Sequence, residues 1–374
     1  MRASIFDNLF VLEMANNHWG DVNRGLKIIA DYAKVVRYNN VRAAMKFQFR
    51  DVDTFIHKDF RARTDIRYIK KTLDTQLEWS DYQKMVTAVR NSSMISMATP
   101  FDETSVEKCV ELGIQIIKIA SSDIKDWFLI EKIAATKKPV IISTGGSSLR
   151  DLDDIVSFFA KLNIPLAINH CVSIYPSEDY ELEMNQIDFL KNRYPENVIG
   201  YSTHEYRDWR DSTLIAYAKG ARTFERHVDI AMGGIPVSPY CSLPEQVDAW
   251  FKAFAKAEEM CGGSGASKRL PPEKEISYLD GLVRGVYAKY DLPAGHIFTD
   301  ESVYLAVPLQ KGQISCREMM RGEVLLQPIP KDAPVAFSNI DSPYGADSQL
   351  AKMIDKRGID PMPAEPARAA PRLV

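Results

Sequence analysis

The sequence predicts an α/β fold, a (β/α)8 TIM barrel followed by a small β-rich domain. Three observations carry this. Short apolar, β-branched runs alternate with amphipathic helical stretches about eight times. Nearly every run ends in polar or ionisable residues. A Gly/Ser/Pro-rich stretch, "GGSGASKRLPPEKE" (262–275), then breaks the pattern, and only short strand-like runs and tight turns follow it.

The first four runs are "FVLEMAN" (10–16), "AAMKFQ" (43–48), "ISMATPF" (95–101) and "IIKIASS" (116–122). The next four are "PVIISTGG" (139–146), "PLAINHCVS" (165–173), "VIGYSTH" (198–204) and "TFERHV" (223–228). Between them lie stretches of helical period such as "LRDLDDIVSFFAKLN" (149–163) and "PEQVDAWFKAFAKAEEM" (244–260). Residues 49–94 are too long for one crossover and predict two helices, hence an insertion capping that part of the barrel. Its basic face, 50–71, reads as solvated surface or as a lid over a phosphorylated sugar. The predicted organisation is a barrel domain at 1–262, a linker at 263–282, a β-rich domain at 283–341 and a loosely ordered tail at 342–374.

A chain of 374 residues, 45% hydrophobic, can bury a sizeable core. The formal net charge of −3 gives no reason to expect a nucleic-acid partner. No apolar run is long enough to span a membrane, and the start lacks the order of a signal peptide, so a cytoplasmic location is expected. The five cysteines are scattered without a C-x-x-C pair, which suits reduced thiols rather than a disulfide framework or zinc knuckle.

In a barrel of this kind the chemistry gathers at the C-terminal ends of the strands. The first strand carries Glu13, then Asn16, Asn17 and His18; the second carries Lys46 and Gln48; the third, Thr99. The fourth brings Lys118, Ser121 and Asp123, and the fifth ends in Ser143, Thr144, Gly145 and Gly146. His170, Ser173 and Tyr175 follow the sixth, Ser202 and His204 the seventh, Glu225 and His227 the eighth. So many polar groups would be costly to bury without partners, so together they indicate a polar ligand site. A lone strand-end histidine is commonly structural. Two on adjacent strands point instead to a divalent metal with open positions, and His170 is either a third ligand or structural. Two lysines inside apolar strands fit an anionic substrate, or a Schiff base. The "STGGSS" turn offers backbone N–H groups to a phosphate.

"EMANNHWGD", "KFQ", "ATPFDETSVE", "KIASSD", "ISTGG", "HCVSIYPS", "GYSTHE" and "ERHVD" occur in this order. Over about residues 5–341 the chain resembles the sialic acid synthase (N-acetylneuraminate synthase) family, and the β-rich segment resembles that family's antifreeze-like, or SAF, domain. The resemblance implies condensation of phosphoenolpyruvate with an acylamino-mannose-type sugar aldehyde. It implies His204 and His227 as ligands of a divalent metal, manganese first, with magnesium or cobalt as alternatives. Lys46, Thr99, Lys118, Ser143 and Ser202 would hold phosphoenolpyruvate, with Ser121 nearby. Gln48 and Tyr175 would face the sugar, and Glu13 and Glu225 would orient water or relay protons. A domain-swapped homodimer is implied as well. The chain departs from the family pattern at Asp123, Ser173, Ser238 and Val307, all on the sugar side, so the acceptor is expected to differ from ordinary N-acetylmannosamine. A metal-dependent barrel hydrolase, which leaves both lysines unexplained, and an inactive sugar-binding homologue are the alternatives.

Overall fold

The computed structural model describes residues 4–263, 265–319, 322–342 and 347–361. The chain divides into two compact units, Met1–Gly262 and Gly263–Val374.

In the first unit eight parallel strands close into a barrel in sequence order. They are β1 Leu9–Ala15, β2 Arg42–Phe49, β3 Ile95–Pro100, β4 Ile116–Ile119, β5 Val140–Ser143, β6 Leu166–Cys171, β7 Val198–Thr203 and β8 Thr223–His227. Parallel neighbours need crossovers, and helices supply them. Helix α1 spans Val22–Asn39, and the β2–β3 connection holds α2 Val52–Phe55, α3 Arg67–Asp74 and α4 Trp79–Asn91. Then come α5 Glu103–Glu111, α6 Trp127–Ala135, α7 Leu149–Lys161, α8 Gln186–Arg193, α9 Trp209–Lys219 and α10 Pro244–Cys261. The expected insertion is therefore present as α2 and α3, with α4 taking the place of the barrel helix. Asp102 caps α5 through the Ser105 amide at 2.6 Å and also accepts from the Asp51 amide at 2.8 Å, which pins the start of the insertion to the β3 loop.

Side chains alternate between the two faces of each strand. One set (Phe10, Leu12, Met45, Phe47, Ile117, Ile142, Ile168, Phe224) packs outward with the helices. The other set forms the floor of the barrel interior: Phe6, Leu9, Val11, Ala44, Met97, Ile116, Ile141 and Ala167. Above this floor the interior turns polar. Thr223 donates to Asn169 Oδ1 at 2.5 Å, and a Cβ on Gly200 would overlap both. The next inward positions, at the C-terminal ends, are the predicted site.

In the second unit β9 Gly285–Ala288 pairs antiparallel with β10 Val303–Ala306, and β11 Val324–Leu325 with β12 Ile340–Asp341. Val286, Phe298, Ile314, Leu325 and Val335 are part of their shared core. Two expectations change here. The segment 263–282 contains helix α11, Glu273–Asp280, with no buried residue. The segment 342–374 contains helix α12, Ser348–Lys356, which buries Ile354; Arg357 beyond it pairs with Glu318 at 2.7 Å. Residues 362–374 lie outside the described residues. No helix among the described residues is long and apolar enough to cross a membrane.

Candidate active site

The two-residue period fixes which strand-end groups face inward. On β1 the odd positions point in, so Glu13 does; on β2 Lys46 and Gln48 do; on β4 Lys118 does. By the same parity Thr99, Ser143, Ser202, Glu225 and His227 enter the interior. His170 falls on the outward parity of β6, where its Nε2 lies 2.7 Å from the Leu182 carbonyl oxygen and its ring stacks on Tyr201. It is a structural residue.

At the centre lie four buried charges. Lys46 donates to Glu225 Oε1 at 2.6 Å and also pairs with Glu13. Lys118 donates to Glu225 Oε2 at 2.7 Å. Ser202 adds a longer bond of 3.4 Å to Glu225 Oε1. Backbone register explains the convergence: Glu13 lies beside Lys46 across β1 and β2, and Ser202 beside Glu225 across β7 and β8. Burial would raise the Glu225 carboxyl, but the charges and hydrogen bonds of Lys118 and Lys46 outweigh it and hold the group well below the carboxylate range. Burial pushes the Lys46 ammonium down to about 8, against the pull of Glu225. Glu225 thus bridges two lysines rather than standing with the histidines.

The histidines form a second cluster. Nδ1 of His204 donates to the Val172 carbonyl at 2.9 Å, leaving Nε2 as the nitrogen with a free lone pair. Burial lowers His204 to about 4, and burial together with the neighbouring His204 pushes His227 well below the usual imidazole value. Both are neutral near pH 7, the form that binds metal. Their ring centroids are 5.5 Å apart, and the buried Nδ1 of His227 has no hydrogen-bond partner. Glu13 lies in register with His227, and its Oε1 is also buried without a partner. Among the described residues no group of three or more His, Cys, Asp or Glu side chains is assembled to hold a metal. Two neutral imidazoles are the residues here that could hold a divalent ion, and they would leave its other positions open.

A third cluster surrounds the β5 turn. The Gly145 amide donates to Ser121 Oγ at 3.1 Å. A Cβ at Gly145 would overlap Ser173 Oγ and sit 2.8 Å from Ser121 Oγ, so a side chain there would displace both hydroxyls. Asp123 closes the same short 3-10 turn that carries Ser121; its Oδ2 is buried without a partner, and burial raises its carboxyl to about 6. Gln48, inward beside Thr99, accepts from Arg50 at 3.1 Å.

Tyr175 lies over the histidines, its ring centroid 3.9 Å from that of His204. Sequence reasoning missed its companion. Tyr240 sits 5.3 Å from Tyr175 and 5.2 Å from His227, ring to ring, so two phenols border the histidine pair. Tyr240 stands two residues after Ser238 in "PVSPYCSL" (236–243), and that aromatic was the available signal. Also unforeseen was a buried network on the outer face, in which Arg226 pairs with Glu205 at 3.2 Å and Ser212 bonds the same carboxylate at 2.5 Å.

Comparison with known proteins agrees with this architecture. The NeuB family model matches residues 33–264. N-acetylneuraminate-9-phosphate synthase of Drosophila melanogaster is 27% identical over 295 residues, 75% of this chain and 74% of that protein. N,N'-diacetyllegionaminic acid synthase of Campylobacter jejuni is 24% identical, covering 78% of this chain and 88% of that one. A solved Chromobacterium violaceum structure, described as a spore coat polysaccharide biosynthesis protein E, superposes with a TM-score of 0.85 at 37% identity, over 90% of this chain and all of that one. The matched region takes in seven of the eight strands and the ionisable residues they carry inward, from Lys46 to His227: the chain belongs to the NeuB family.

Proposed function

We propose that the chain condenses phosphoenolpyruvate with an (acylamino) aldose, giving a 2-keto-3-deoxy sugar acid and phosphate, with a divalent metal at His204 and His227. The observation that carries this reading is a pair of buried lysines bridged by Glu225 in the same barrel mouth as two neutral histidines. Relatives named as sialic-acid-type synthases support it.

Lys46 and Lys118 are preorganised cations for the carboxylate and phosphate of phosphoenolpyruvate. Both amines are engaged by the Glu225 carboxylate, so we read them as anion anchors rather than Schiff-base nucleophiles. Thr99, Ser143 and Ser202 add hydroxyls from the inward face, and Ser121 and the Gly145 turn add donors beside them, with Ser173 of the same cup towards the sugar. A metal held by the histidines supplies Lewis-acid polarisation of the acceptor aldehyde. C3 of the enol ester then bonds to the aldehyde carbon, and the aldehyde oxygen takes a proton. Water adds to C2 and gives up a proton; collapse of that centre breaks the C2–O bond and releases phosphate. Of Glu13 and Glu225, we assign the water proton to Glu13, because both oxygens of Glu225 bond lysines while Glu13 Oε1 is unpartnered. Gln48 and Tyr175 face the sugar, with Tyr240 beside them.

Mass spectrometry tests the reading: phosphoenolpyruvate, manganese and an aldose panel should yield a product with the mass of acceptor plus pyruvate. Pyruvate alone would instead support a hydrolase, and acceptor binding without product an inactive sugar-binding homologue. The same reading assigns the β-rich unit to an SAF-type domain in a domain-swapped homodimer; a monomer mass by light scattering would remove that part.

A further inference from the structure

We propose that Arg226, working through Glu205, is the positioning residue of the histidine pair: it ties the ends of β7 and β8 together and so holds His204 and His227 in one fixed relation. This rests on the metal assigned to those histidines in the synthase reading.

The two histidines stand where the barrel ladder gives out. The last β7–β8 partners in register are Thr203 and Arg226; His204 follows the first and His227 the second. Beyond that point the carbonyl oxygen of each histidine is held by a different loop. That of His204 accepts from the Ser177 amide at 3.1 Å, and that of His227 from the Ser242 amide at 2.9 Å. Arg226 supplies the cross-link that the ladder no longer gives. Its Nη2 donates to the Glu205 carbonyl oxygen at 2.7 Å, one residue past His204. Its Nε donates to the hydroxyl of Ser242, the residue whose amide holds His227. Glu205 answers with Oε1, which lies 3.2 Å from Nη1 of Arg226 and accepts from Ser212 of α9 at 2.5 Å. The guanidinium also lies 5.1 Å from the centre of the Trp209 ring, at the start of α9. One planar side chain thus joins both strand ends, the loop that carries Tyr240, and α9.

Stability alone does not account for this arrangement. Arg226 and Glu205 are both buried, and taking such a pair out of water often costs more than packing apolar side chains in its place. Nor is the pair fully satisfied, since Nη1 of Arg226 and Oε2 of Glu205 are buried without a hydrogen-bond partner. What an apolar pair lacks is direction: donors aimed at a backbone carbonyl and a hydroxyl on two separate segments. Both side chains lie on the outer face, so they act on the site only through the backbone that carries the histidines. Metal affinity depends on such supports behind the ligands, and losing one typically weakens it about 10–100-fold.

The test measures manganese binding to the full chain by calorimetry in Arg226→Lys and in Glu205→Met/Arg226→Met. Phosphoenolpyruvate binding and amide hydrogen exchange of the metal-free protein are followed beside it. The double variant removes both charges together, so it should keep the parent's Tm even where the lysine variant folds poorly. Manganese affinity should fall by about 10–100-fold in each. Exchange at 203–206 and 227–229 should quicken by about tenfold, as local opening becomes easier. Phosphoenolpyruvate affinity, which the reading gives to Lys46 and Lys118, should change by less than about threefold. A double variant with the parent's Tm and the parent's manganese affinity would make the pair packing alone and overturn the proposal. So would a loss of phosphoenolpyruvate affinity equal to the loss for manganese, the mark of general loosening. Quicker exchange at both strand ends in a protein that binds no manganese would leave the clamp standing and remove the metal from the synthase reading instead.

Discussion

Glu13 and His227 face each other across the β1–β8 register, and each buries one atom without a partner, Oε1 of the glutamate and Nδ1 of the histidine. Unsatisfied groups of this kind are rare in a folded interior. Two side by side at a barrel mouth support the proposal that water is activated there. Glu13→Gln keeps the shape and removes the base. Phosphate release should fall by about 10²–10⁴-fold, while phosphoenolpyruvate binding by calorimetry changes only a few-fold. An equal loss in both would make Glu13 a binding group.

Glu225 is predicted to be a stability residue as much as a functional one. Glu225→Ala leaves two ammonium groups buried without their shared carboxylate, a loss of about 3–5 kcal/mol by the precedent of broken buried pairs. Thermal denaturation should show a clear drop in Tm. A Tm within a degree of the parent would mean that water or rearrangement already satisfies the lysines.

Lys46 gives a pH signature. Its folded-state value of about 8 lies below the ordinary 10.5. Anion capture by its ammonium is complete below about 8 and lost above it, so kcat/KM for phosphoenolpyruvate should decline on the alkaline side from there. The stability linkage runs the other way: between about 8 and 10.5 the unfolded chain binds more protons than the fold, so this group's contribution rises with pH. Lys46→Arg should carry the alkaline limb upward, beyond the accessible range. An unmoved limb would assign it to another group.

The close fit at the β5 turn makes Gly145→Ala informative. The added methyl overlaps Ser173 Oγ and crowds Ser121, an overpacking cost of about 1–3 kcal/mol. The expected outcome is a raised KM for phosphoenolpyruvate with a smaller change in KM for the acceptor. The reverse pattern would place the cup on the sugar side.

The barrel was legible because each strand is a short apolar run with a polar end, and the period of two then sorted the site residues. Parity also separates His170 from His204, a distinction available from the small inward Ala167 and the large outward Ile168 of "AINHC" but not drawn from them. The partner of Glu225 was not legible. Adjacency to His227 in sequence suggested the metal, whereas β-strand neighbours point to opposite faces and next-neighbours lie a layer apart, and the layer of Glu225 is that of Lys46 and Lys118. The helix in the tail was masked by the Pro- and Ala-rich end, although Asp347 before "SQLAKMIDK" is an N-cap signal and its side chain bonds the Gln349 and Leu350 amides.

The most direct measurement is phosphate release from phosphoenolpyruvate with manganese, across neutral and charged aldoses, beside a His204→Ala/His227→Ala control. The account predicts release that requires both substrates, stops in the control, and is accompanied by loss of bound metal in elemental analysis. Release without any aldose, or release undiminished in the control, would contradict it.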